Sequence, residues 1–78
     1  MNQSTALARE INLKPSVRKI LSHLKERETI SPVEALVSHG ISRLAAAIYE
    51  LRQEGWDIST EMRKDASGHP YARYRLIA

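Results

Sequence analysis

The sequence predicts an α+β domain, three helices followed by a C-terminal β-hairpin, and three observations carry that prediction. Apolar residues recur at three- and four-residue spacing through the first two thirds of the chain, and a serine-proline start and glycine stops divide that stretch into helices. Residues 56–63 and 71–77 instead alternate at the period of a strand. With 78 residues and no cysteine, the chain makes one small domain whose core receives no help from disulfides or a thiolate zinc site.

Residues 1–14 mix polar residues with Ala6, Leu7, Ala8, Ile11 and Leu13 and carry no clear cap. They read as an N-terminal arm or short helix outside a domain spanning residues 15–78. From about 16 to 27, Val17, Ile20, Leu21 and Leu24 form an inward stripe, with Arg18, Lys19, Lys25, Glu26 and Arg27 on the other face. Pro15 suits the first turn, where a missing N–H costs nothing. Thr29 and Ile30 form a two-residue bridge to a later hairpin. Ser31-Pro32-Val33-Glu34 then supplies a capping acceptor, a proline at the first helical position and a glutamate three residues after the serine, which together make a capping box. The helix it opens, about 32–38, is expected to turn Val33, Leu36 and Val37 inward and to stop at Gly40.

Ile41, Leu44, Ala45, Ile48, Leu51 and Arg52 fall on one face of a third helix, about 42–54, that ends before Gly55. Its exposed face is expected to hold Ser42, Arg43, Ala46, Ala47, Glu50 and Gln53. The hairpin follows, with Asp65-Ala66-Ser67-Gly68-His69-Pro70 as its turn. A short capped helix, a glycine turn and a longer helix make a helix-turn-helix, and the appended hairpin over residues 57–77 makes it winged.

The runs Ile30–Leu36, Gly40-Ile41-Ser42-Arg43-Leu44-Ala45-Ala46, Ile48–Arg52 and Tyr71-Ala72-Arg73-Tyr74 resemble the small winged helix-turn-helix proteins of tailed bacteriophages and prophages. The resemblance covers roughly residues 16–77 and implies a double-stranded DNA-binding domain. Ala47 departs from it, because members often carry a basic residue there.

The third helix can enter a major groove by its N-terminal residues, with Arg43 reaching guanine O6 and N7 and Ser42 a phosphate or base edge. Ala46 and Ala47 leave room for close approach. In the wing, Arg63, Lys64, Arg73 and Arg75 are candidate phosphate contacts, and His69 at the loop tip a further one. These four cations, set against Glu61 and Asp65, place two of the three net positive charges in residues 61–75. The plain alternatives are an N-cap for Ser42, a solvated Arg43 and strand edges guarded by charge. Trp56, Tyr71 and Tyr74 suit core anchoring better than base stacking, and Glu50 is expected to pair near Arg43 or Gln53.

Catalysis is not expected: His23, His39 and His69 lie on three elements, no metal-ligand spacing or glycine-rich phosphate loop occurs, and no cofactor is implied. The histidines are expected at the surface. No apolar run spans a membrane and the first dozen residues lack a signal-peptide core, so the expected setting is the bacterial cytoplasm, at the nucleoid, without membrane partners. The function expected is transcriptional regulation by a phage or prophage protein, with a homodimer on a palindrome compatible with so small a module. A winged-helix module that binds a host protein, and an architectural or recombination accessory protein, are the alternatives.

Overall fold

The computed structural model describes residues 13–77. Its elements are α1 (Pro15–Arg27), β1 (Thr29–Ile30), α2 (Pro32–His39), α3 (Leu44–Gln53), β2 (Ile58–Lys64) and β3 (Pro70–Leu76). The strands form one antiparallel sheet in the order β1-β3-β2, with Ile30 opposite Tyr74 and the hairpin in register from Ile58↔Leu76 to Lys64↔Pro70. The two-residue bridge expected at Thr29–Ile30 is therefore an edge strand on the hairpin.

α1 buries Val17, Ile20, Leu21 and Leu24, the stripe its spacing predicts. These side chains meet Ile30, Ala35, Leu44, Ala47, Ile48, Leu51 and Ile58 in one core, with Ile41, Trp56, Tyr74 and Leu76 packed against it. Each fully buried aliphatic side chain contributes about 1.5–3 kcal/mol, so this cluster is what holds three short helices to a small sheet. Leu13 is part of it, which extends the domain back into the segment expected to be an arm; residues 1–12 of that segment lie outside the described residues.

The capping box forms as its spacing requires. Ser31 Oγ accepts from the Glu34 N–H at 3.2 Å and Glu34 Oε1 accepts from the Ser31 N–H at 2.9 Å. Gly40 ends α2 in the left-handed conformation with φ 68°, and its N–H donates to the Leu36 carbonyl. The inward face expected for α2 is wrong, however. Val33, Leu36 and Val37 are 70%, 55% and 78% exposed, and the buried side chain is Ala35. Val33 and Val37 each stand two residues from Ala35, about 200° round the helix, so the orientation that buries Ala35 turns them to solvent.

α3 begins at Leu44, two residues later than expected, because Arg43 is non-helical (φ −113°, ψ 59°). Its buried residues are Leu44, Ala47, Ile48 and Leu51. Ala45 is exposed and Ala47 buried, the reverse of the expectation for each. The strand expected from Trp56 starts at Ile58, with Trp56 half-buried beneath the Lys25 ammonium at 5.1 Å from the ring centroid.

Candidate nucleic-acid interface

The turn between α2 and α3 fixes which side chains of α3 leave the core. The Ala46 and Ala47 N–H groups donate to the Arg43 carbonyl at 3.2 and 3.4 Å, so the first turn of α3 hangs on Arg43's backbone while no side chain caps it. Ser42 is thus not the cap, and the side chains of Ser42 and Arg43 both stand exposed at the helix N-terminus. Arg43 enters no ion pair among the described residues. Ala46, one turn on, is exposed, and Tyr49 is 63% exposed beside it. Ala47 is only 5% exposed and faces α1, so its methyl group belongs to the core and not to the outward surface.

Glu50 pairs neither with Arg43 nor near Gln53. Its carboxylate lies 3.3 Å from Lys14 Nζ, at the residue preceding α1. The pair is exposed and worth at most about 1 kcal/mol, but it neutralises the one carboxylate on this part of α3. Lys14, together with Ser16, Arg43, Ala46 and Tyr49, lines a shallow groove between the start of α1 and α3. Sequence reading missed Lys14 because it assigned the residue to the arm. Pro15 was the available signal: a proline at the first helical turn places the preceding residue at the helix end.

Three of the four wing cations have acidic partners. Arg75 Nε donates to Glu61 Oε2 at 2.7 Å and Arg75 Nη1 lies 3.5 Å from Glu28 Oε2. Arg63 Nη2 donates to Glu61 Oε1 at 2.7 Å. Arg73 Nη1 donates to Thr29 Oγ1 at 3.0 Å and to Glu34 Oε1 at 3.2 Å. The hydrogen bond from Arg75, then that from Arg63, holds the Glu61 carboxyl below its usual value. Lys64 is exposed and enters no ion pair among the described residues. His69 is exposed at the tip, 3.8 Å from Asp65, whose Oδ1 accepts from the Ser67 and His69 N–H groups and so shapes the turn. The structure therefore brings Ser42, Arg43 and Ala46 together, and sets Arg73 and Arg75 apart from them on the hairpin face that carries Glu61.

Arg52 joins the two parts. From the last turn of α3 its Nε and Nη2 donate to the Ile58 carbonyl at 3.0 and 2.6 Å, Nη2 donates to Thr60 Oγ1 at 2.9 Å, and its guanidinium lies 5.9 Å from the centroid of the Tyr74 ring. This fork fixes the wing's angle to the helix.

Two of the histidines are not free at the surface as expected. His23 and His39 are half-buried and bonded to each other. Among the described residues no group of three acidic or histidine side chains is placed to hold a metal ion, and no helix is long and apolar enough to cross a membrane. A family model described as a winged helix-turn-helix domain matches residues 16–78. No curated protein and no solved structure matches the chain.

Proposed function

The chain belongs to the winged helix-turn-helix domain family, and on that premise we propose that it binds double-stranded DNA through the outward face of α3. The observation that carries this reading is the exposed, uncapped and unpaired Arg43 at the N-terminus of α3, followed by the small Ala46. A helix entering the major groove leads with these positions, and a guanidinium there reads guanine bidentately. Ser42 serves a phosphate or base edge. Lys14, by holding Glu50, removes the charge that would repel the backbone, while Lys64 and His69 reach phosphate from the wing tip. Arg63, Arg73 and Arg75, held by Glu28, Glu34 and Glu61, make the wing rigid.

In its finer form the proposal is a non-enzymatic phage or prophage transcriptional regulator working in the cytoplasm. The resemblance of the Ile30–Leu36 and Gly40–Ala46 runs supports that form. One copy buries limited DNA surface, so two copies on a palindrome follow from size.

Fluorescence anisotropy with mixed-sequence duplex at two salt concentrations tests the reading. Binding should weaken steeply as salt rises, and Arg43→Ala should lose discrimination between duplexes. No binding at low salt sinks it. The second reading, a protein-binding module, is favoured by the apolar Val33, Leu36 and Val37 on the outside of α2. Contact through these side chains would be nearly indifferent to salt.

A further inference from the structure

α2 is attached to the fold by few apolar groups. Ala35 is its one buried side chain, and Val33, Leu36 and Val37 face solvent. Its other attachments are polar: the Ser31 cap and the Glu34–Arg73 pair at one end, and His39 at the other. There His39 Nε2 lies 3.0 Å from Nδ1 of His23 on α1, with ring centroids 5.2 Å apart and planes at 77°. That centroid separation is what a collinear N–H···N bond between two imidazoles spans. Each nitrogen therefore points at the other, whereas a metal ion would draw both lone pairs to a common centre off the line.

We propose that His23 and His39 form a proton-operated latch that fixes α2 to α1, closed while the facing nitrogens share one hydrogen and opened when both imidazoles are protonated. With no added proton, or with one, one ring donates and the other accepts. A second proton makes both facing nitrogens donors and sets two positive charges against each other across the same gap. The charged groups around this cleft are Lys19, Glu26 and Arg27 from α1 and Glu34 from α2. Their charges cancel. Glu34 Oε1 already accepts from Ser31 and from Arg73 of β3, so that oxygen is committed elsewhere when an imidazolium forms.

Burial first, and His39 next, hold His23 below the ordinary histidine value of 6.5. The folded chain thus binds fewer protons than the unfolded chain as pH drops. The stability this pair supplies is complete above that value and is lost as pH falls through the lower folded one. The loss begins at the ordinary histidine value, above the carboxylate range, so the onset of acid loosening of α2 is separable from general acid unfolding. The latch acts on the fold and stands apart from the DNA-binding reading.

The test is urea unfolding with imidazole NMR titration between about pH 7.5 and about pH 5.5, on the full chain, its His39→Gln variant and the double His23→Gln, His39→Gln variant. In the wild type, His23 should titrate below 6.5, and the folding constant should fall tenfold for each pKa unit separating the two states. His39→Gln should bring the His23 titration back towards the ordinary value, and the double variant should show a much flatter stability profile. A double variant as acid-sensitive as the wild type overturns the proposal, as does a His23 that titrates at or above the ordinary value. Should the double variant not fold, the His23 titration in the wild type and in His39→Gln decides alone.

Discussion

Replacing Arg52 by alanine should cost stability out of proportion to the residue's exposed position. Its guanidinium makes two donations to the Ile58 carbonyl, at 3.0 and 2.6 Å, and one to Thr60 Oγ1 at 2.9 Å. A hydrogen bond to a charged group contributes about 1.5–3 kcal/mol net. The Thr60 contact is exposed and adds little, and solvent reaches the outer edge of the guanidinium, so the lower end applies, about 1.5 kcal/mol. Domains of this size have a total near the low end of the usual 5–15 kcal/mol, and such a loss lowers the melting temperature by roughly 6–12 °C. Urea unfolding of the wild type, Arg52→Ala and Arg52→Lys measures it. Lysine keeps the charge and the stem but not the planar fork, so it should recover less than half. A loss below about 0.5 kcal/mol, the range of ordinary surface substitutions, or full recovery by lysine, refutes the clamp.

Removing the α2 cap with Ser31→Ala should cost about 1 kcal/mol, read by the same unfolding assay. Lysine at position 47 should destabilise the fold, since it places a charge in the α1–α3 contact, whereas Ala46→Lys should leave stability nearly unchanged and steepen the salt dependence of DNA binding by about one ion; anisotropy and thermal melts together separate the two. For acid, the Glu61 carboxyl is held below its ordinary 4.5 by Arg75 and Arg63, so its stabilisation is present above that pH and disappears as pH falls through the folded value. Glu61→Gln should therefore flatten the acid limb of the stability profile, measured below about pH 4.5.

The parts of this fold legible in the sequence are those fixed by local chemistry. The Ser31–Glu34 box and the Gly40 stop are satisfied by groups within a few residues, and the α1 stripe had a single plausible inward face. α2 misled because periodicity identifies a helix but not its orientation. Val33, Leu36 and Val37 fit an inward face as well as any, and only the closeness of Ala35 to the core decides against them. Ala47 failed for a related reason: in a helix whose sides hold alanines, hydrophobicity does not tell core from surface. The ion pairs Arg73–Glu34 and Arg75–Glu28 join residues far apart in sequence, so the cationic appearance of residues 61–75 concealed partners contributed by α2 and the end of α1.

Those pairings change what the wing can do. Three of its four cations, Arg63, Arg73 and Arg75, are held by Glu28, Glu34 and Glu61, which leaves Lys64 as the wing cation without an ion pair among the described residues and little surplus charge for counterion release. Arg73 is the sharpest case: its side chain is 22% exposed, and it ties β3 to the capping glutamate of α2. Binding a phosphate with it means withdrawing it from Glu34, which offsets much of the gain. Arg73→Ala should therefore lower stability by up to about 1 kcal/mol, with a matching coupling to Glu34→Ala in a double-mutant cycle, while leaving the salt slope of DNA binding unchanged. Arg43→Ala should do the reverse, losing discrimination between duplexes and sparing the fold. If Arg73→Ala instead reduces the slope by about one, with no coupling to Glu34, the wing is a phosphate contact and its internal pairing yields to DNA.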